Sequence, residues 1–176
     1  MKDAPAIIWD LRGNGGGYTS IALAILGGRI QQPLDPYTIA TRIPGSTPPA
    51  FEPVDFVFQV TPNDALAYGG KVAILTDGIC YSACDLVSCA AKQAKLAVLV
   101  GQPTAGGFGT IKEVVQLPGS PAVWVSIDDQ RTLDLQGVPL ETHSVQPDLL
   151  VDYDPDDVAA GVDTMPEAAA TYVKSP

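Results

Sequence analysis

The stretch Lys71-Val-Ala-Ile-Leu-Thr-Asp-Gly-Ile-Cys-Tyr-Ser-Ala-Cys-Asp-Leu-Val-Ser-Cys-Ala-Ala-Lys92 decides the fold. Val72 to Leu75 is a short apolar run with β-branched residues, the pattern of a buried strand. Asp77-Gly78 breaks the run. From there the apolar residues Ala83, Leu86, Val87 and Ala90 recur at helical spacing, which predicts a helix over 82–94. Ser82 stands where a strand has turned and a helix begins. The first N–H groups of a helix have no partner inside it and attract any anion that forms beside them. A tetrahedral oxyanion on Ser82 could take the N–H of Ala83. The plainer reading of the same serine is an N-cap, and taken alone the stretch favours it.

Working outward, residues 96–100 form a second apolar strand, so strand, helix and strand make a β-α-β unit with a right-handed crossover and parallel strands. Upstream, residues 5–11 read as a strand. Arg12-Gly-Asn-Gly-Gly-Gly17 reads as a loop with access to unusual backbone angles, and Tyr18 to Leu26 as a helix ended by Gly27-Gly28. Residues 33–53 are rich in proline and read as a surface excursion with one strand at Tyr37 to Ile43. Asn63 to Gly70 is a connection. Downstream, Gly101-Gln-Pro-Thr-Ala-Gly-Gly-Phe-Gly109 is a second glycine loop. Residues 112–117 and 122–128 read as a hairpin around Pro118-Gly-Ser-Pro121. Residues 137–141 and 146–151 are short extended pieces. Met165 to Val173 reads as a last helix with Pro166 in its first turn.

The chain has 176 residues, enough for one domain with a core, and 46% of them are hydrophobic. Its net charge of −10 argues against nucleic acid and against anionic membrane surfaces as partners. No apolar run reaches the roughly 18 residues of a membrane span. The first strand begins almost at Met1. That predicts a single domain that is the C-terminal part of a larger one, and leaves the compartment open, secreted and periplasmic included. Cys80, Cys84 and Cys89 are an odd number, which argues against a closed disulfide framework. Their spacing does not fit zinc, and His143 is the only histidine. They read as small buried apolar residues.

The Gly13–Gly17 loop follows a strand and precedes a helix, as a dinucleotide loop does, but G-x-G-x-x-G is out of register and no Gly-Lys-Ser/Thr follows. Such a loop can equally aim N–H groups at a carbonyl oxygen. Four segments then resemble, in order, the tail-specific (C-terminal processing) and tricorn-type serine peptidases. Ile8-Trp-Asp-Leu-Arg-Gly-Asn-Gly-Gly-Gly17 is similar to their Asp-Leu-Arg-x-Asn-x-Gly-Gly signature, and Ser82-Ala83 to their nucleophile segment. Gly101-Gln-Pro-Thr-Ala-Gly106 is similar to Gly-x-x-Thr-x-Gly. Gly137-Val-Pro-Leu-Glu141 with Gln146-Pro-Asp148 is similar to their late glutamate segment.

This resemblance implies an α/β fold, a ββα-spiral of the Clp peptidase/crotonase type. It implies Ser82 as nucleophile, with the N–H groups of Ala83 and Gly16 as the oxyanion hole, and no cofactor. The lysine branch of the family keeps its base shortly after Thr-x-Gly; here Gly107 stands there. Lys112 falls on a predicted strand, and Lys92 lies about 15 Å along the helix from Ser82. Glu141 matches the glutamate of the histidine branch, whose role would be to orient the base and stabilise its charge. That branch's histidine comes from a region before the Asp-Leu-Arg strand, so His143 is out of register and reads as a loop histidine. Asp85, Asp10 and Arg12 read as structural, Asp85 as a cap and the other two as holding the glycine loop.

The expected activity is serine peptidase hydrolysis through an acyl-enzyme on Ser82, in a fragment that lacks its general base. The expected substrate is a disordered or hydrophobic peptide or an unfolded protein. An apolar face left uncovered favours self-association into a homo-oligomer. Two other readings share the oxyanion chemistry: a non-catalytic binding module on the same fold, and a crotonase-type acyl-thioester enzyme.

Overall fold

The computed structural model describes residues 3–54, 58–108, 111–116, 118–119, 122–126 and 130–175. At its centre is a parallel sheet of four strands in the order β1-β4-β5-β9: β1 (Ala6–Asp10), β4 (Lys71–Thr76), β5 (Val98–Gly101) and β9 (Leu149–Leu150). β1 lies beside β4 in register Ala6 to Lys71 through Asp10 to Leu75, and β5 flanks β4 on the other side.

Both faces of this sheet are covered, which is why β4 reads as continuous apolar sequence and not as an alternation. Ile74 and Leu99 point into one core with Leu23 and Leu26 of α1 (Thr19–Leu26) and Leu86, Val87 and Ala90 of α2 (Ala83–Gln93). Ala73, Leu75 and Val100 point the other way, onto Met165 and Ala169 of the last helix (Thr164–Lys174), which is α4. Every residue of α2 from Ala83 to Ala91 is buried. A helix so enclosed starts and stops at fixed points, and Ser82 at its head is fixed with it.

Two antiparallel pieces complete the described chain. β2 (Thr38–Arg42) lies between β3 (Phe51–Val54) and β8 (Gln130–Leu133). β6 (Ile111–Gln116) and β7 (Ala122–Ser126) pair as the strands of the predicted hairpin; residues 117, 120, 121, 127 and 128 of that expectation lie outside the described residues. The short helix α3 (Pro155–Ala159) is capped by the Asp154 side chain, which accepts from the Asp156 N–H.

The expected strands 5–11, 71–76 and 96–100 and the expected helices 18–26, 82–94 and 165–173 are present with ends moved by one or two residues. β3, β8 and α3 did not register in the sequence. β3 carries Pro53, which an edge strand tolerates because its outward side needs no ladder N–H. α3 is too short for a helical period to show. Parallel and antiparallel sheets thus coexist in a mixed α/β arrangement. Among the described residues, no helix is long and apolar enough to cross a membrane.

Candidate active site

The site lies where β1 and β4 end. After Thr76, the Asp77 carboxylate accepts hydrogen bonds from the N–H groups of Ile79 and Cys80 in its own turn. It also accepts from the Gly13 N–H across the gap, at 3.0 and 3.1 Å. One buried side chain therefore sets the turn before Ser82 and anchors the start of the glycine loop. The loop and turn meet again where Tyr81 N–H donates to the Asn14 carbonyl, 3.0 Å away.

Ser82 has φ 60° and ψ −115°. A positive φ is costly for a residue with a Cβ, about 1–3 kcal/mol, and persists only where its surroundings over-determine it. The surroundings here are specific. The Ser82 N–H donates to Asp85 Oδ2 at 2.8 Å and to the Gly107 carbonyl at 3.2 Å. Asp85, fully buried, also accepts from the N–H groups of Gly106 and Gly107 at 2.9 and 3.1 Å. Asp85 is thus the cap expected of it and more: it joins the turn to the second glycine loop. Ser82 itself remains partly exposed.

Gly16 sits directly against this serine. With φ +101° it occupies backbone space that a side chain avoids, and a Cβ there would lie 2.7 Å from Ser82 Cβ and 3.2 Å from the Ala83 nitrogen. The Ala83 N–H has no hydrogen-bond partner among the described residues, as expected for the first turn of a helix. The Gly16 N–H, in contrast, donates to Asn14 Oδ1 at 2.8 Å. Of the two donors expected of an oxyanion hole, one is open and one is held by a neighbouring exposed side chain. Gly16 and Ala83 also line a cavity of about 240 Å³ whose walls include Trp9, Ile21 and Val87.

The position where the lysine branch keeps its base is filled differently. A Cβ on Gly107 would run into the Tyr81 ring, so a longer side chain could enter only if Tyr81 moved. Glu141 and His143 are both exposed. Their loop is tied to the site through the backbone: Thr142 N–H donates to the Gly106 carbonyl at 2.8 Å, next to the two amides that Asp85 holds. His143 Nδ1 lies 3.0 Å from the carbonyl oxygen of Glu141. Thr104, the threonine of Gly-x-x-Thr-x-Gly, is buried, and its Oγ1 accepts from the Val145 N–H at 2.8 Å.

One expectation is corrected and one is extended. Cys80 and Cys84 are joined in a disulfide, and only Cys89 is free. The odd count was satisfied by one bridge and one core thiol. The turn folds Cys80 back over the first turn of α2, which sequence spacing does not show. Burial pushes the Cys89 thiol up to about 12, with the Asp134 and Asp85 charges adding to it. The extended expectation concerns Asp10 and Arg12. They pair with each other, and Asp10 also accepts from the Arg12 N–H at the start of the loop at 3.1 Å, but Arg12 reaches on to Asp163, the N-cap of α4, and Asp77 shares in holding the glycine loop through the Gly13 N–H. The Arg12 guanidinium keeps both carboxyls below the usual carboxylate range. Among the described residues, no group of three or more His, Cys, Asp or Glu side chains could hold a metal ion.

A partly exposed serine at positive φ thus stands at a helix head, beside a glycine loop and an N–H without a partner among the described residues. Residues 1–151 match the model of peptidase family S41, and the chain belongs to that family. The chain is similar in structure to a Parabacteroides merdae protein described as a candidate peptidase, with a TM-score of 0.80 and 24% identity over 99% of this chain and 53% of that one. It is similar to mature CPAF complexed with lactacystin, with a TM-score of 0.78 and 15% identity over 97% of this chain and 44% of that one. It also resembles the photosystem II D1 C-terminal processing protease, with a TM-score of 0.59 and 20% identity over 98% of this chain and 39% of that one. These likenesses establish a shared fold. The chain spans about half the length of the first two structures, 53% and 44%. Among curated proteins, none matches the chain.

Proposed function

We propose that this chain carries the nucleophile half of a serine peptidase site that hydrolyses peptide bonds through an acyl-enzyme on Ser82. The observation that carries the reading is Ser82 at φ 60° with the open N–H of Ala83 and the backbone of Gly16 beside it. In this mechanism Ser82 Oγ attacks the scissile carbonyl as a base removes its proton. The carbonyl oxygen, now negative, takes the Ala83 N–H. It also takes the Gly16 N–H, exchanged from Asn14. Backbone donors placed in advance are worth roughly 10²–10³-fold each in rate.

Glu141 orients and charge-stabilises the base, by its match to the family's glutamate. The base itself comes from chain beyond these residues, so the domain is the C-terminal part of a larger catalytic domain with the ββα-spiral arrangement. Two facts support this: Tyr81 fills the place of the lysine base, and the similar structures are about twice as long. The substrate is an unfolded or disordered peptide, and the cavity beside Gly16 and Ala83 receives an apolar side chain of it.

The test is labelling of the chain with a fluorophosphonate. The wild-type chain should be labelled slowly and the Ser82→Ala chain not at all, since general-base assistance worth about 10²–10⁴-fold is missing while the oxyanion donors remain. Turnover of an unstructured peptide should be no more than a trace, unchanged by His143→Ala. Equal labelling of wild type and Ser82→Ala would remove Ser82 from the mechanism.

A further inference from the structure

The Cys80–Cys84 bridge encloses the serine. Cys80 stands two residues before Ser82 and Cys84 two residues after it, so only Tyr81, Ser82 and Ala83 lie between the linked positions. Both sulfur-bearing residues are buried, at 0% and 2% exposure. Cys80 Sγ lies 3.7 Å from Ser88 Oγ, and Cys84 Sγ lies 3.6 Å from the Leu11 carbonyl oxygen at the mouth of the glycine loop. The Cys80 carbonyl accepts from the Ala105 N–H at 2.9 Å. The bridge therefore links the head of α2 to the end of β1 and to the second glycine loop.

We infer that Cys80 and Cys84 are positioning residues for Ser82, and that acyl transfer at Ser82 depends on their being oxidised. The inference rests on the reading of Ser82 as nucleophile. The physical argument is local. A serine at positive φ relaxes unless it is held, and Asp85 holds only its N–H and the residues downstream. Upstream, Tyr81 makes two backbone bonds, its N–H donating to the carbonyl of the exposed glycine-loop residue Asn14 at 3.0 Å and its carbonyl accepting from the Cys84 N–H at 3.1 Å. The covalent tie between Cys80 and Cys84 adds to these hydrogen bonds a restraint that closes the two ends of the Tyr81–Ala83 segment on each other. Those peptides carry both the hydroxyl and the open Ala83 N–H, and a displacement of about 1 Å at a reacting group can cost roughly 10²-fold in rate.

Opening the bridge is a thiol–disulfide exchange. A dithiol reductant attacks one sulfur through its thiolate and forms a mixed disulfide; its second thiol displaces the remaining cysteine. The dithiol becomes a cyclic disulfide, and Cys80 and Cys84 each gain one electron and one proton. Because both sulfurs are buried, exchange requires the turn to open, so the bridge resists casual reduction. Cys89, buried in the core and unbridged, takes no part.

The experiment compares the oxidised full chain, the same chain after dithiothreitol, the Cys80→Ala/Cys84→Ala double variant and a Cys89→Ala control. Fluorophosphonate labelling of Ser82 is read alongside amide hydrogen exchange of residues 78–86 and of the remaining chain. Labelling is expected to fall about tenfold or more in the reduced and bridge-free forms, to return on reoxidation, and to stay unchanged in Cys89→Ala; a shift of reacting groups well under 1 Å suffices for such a loss. Exchange should quicken within 78–86 and remain the same in the parallel sheet. Equal labelling in bridged and bridge-free chains overturns the inference while leaving Ser82 as nucleophile. If the oxidised chain is not labelled at all, the peptidase reading fails and takes the acyl-transfer part of this inference with it, and the exchange data then decide whether the bridge holds the 78–86 turn. Unchanged protection of 78–86, or a loss spread evenly over the chain, overturns it.

Discussion

The turn that carries Ser82 and the loop that carries Glu141 and His143 both hang from the second glycine loop, the turn from Gly106 and Gly107 and the 141–145 loop from Gly106 and Thr104, yet they are built in opposite ways. The turn is held by buried carboxylates, Asp77 and Asp85, and by a covalent bridge. The loop is exposed, places Thr142 and Ser144 at positive φ (67° and 54°), and is attached by backbone bonds and the Thr104 hydroxyl. Segments with few buried contacts open at low free-energy cost. The contrast teaches that the proposed nucleophile is held by buried groups of this chain, whereas the glutamate proposed to orient a base rides on an exposed segment.

The sharpest way to break this contrast is Asp85→Ala. It leaves the N–H groups of Ser82, Gly106 and Gly107 without their shared acceptor. With about 1–3 kcal/mol for each buried orphan donor, less what relaxation and Ser82's second bond recover, the loss should be about 3–5 kcal/mol. Chemical denaturation reads this, and Ser82 labelling should fall with it. A loss below about 1 kcal/mol would mean that the turn is no better anchored than the loop.

Thr104→Val should cost about 1–2 kcal/mol, because the buried Val145 N–H loses its acceptor. Its signature is regional: faster amide exchange over 141–145 with Ser82 labelling retained. Labelling lost in step with exchange would show that turn and loop are one unit.

The smallest effect belongs to the Arg12 pairs outside both regions. Asp10 and Asp163 have folded-state values held below their ordinary ones by Arg12. Their contribution is therefore present above the unfolded carboxylate value of about 3.9 and is lost as pH falls through the lower folded values. Both carboxylates are well exposed, 49% and 44%, so screening keeps it under about 1 kcal/mol. Arg12→Gln should lower the melting temperature slightly at pH 7, and the difference should close at strongly acid pH. A difference that persists there would assign Arg12 a packing role instead.

Local periodicity determined the parallel core. The apolar runs of β1, β4 and β5 and the spacing of α2 follow from steric rules that act over a few residues, and so the helix head at Ser82 could be placed from sequence. The glycines at 13–17 likewise announced a loop that only small residues can form. Ordered motifs marked Thr104 and Glu141 without saying what touches them. Tertiary structure decided the rest. Asp85 meets Gly106 and Gly107 across about twenty residues of sequence, and Tyr81 closes the space over Gly107. Cys80 meets Cys84 because the turn bends back, and β8 finds β2 from ninety residues away. Such pairings depend on where folded elements place their ends, a property of the packed whole that no window of sequence contains.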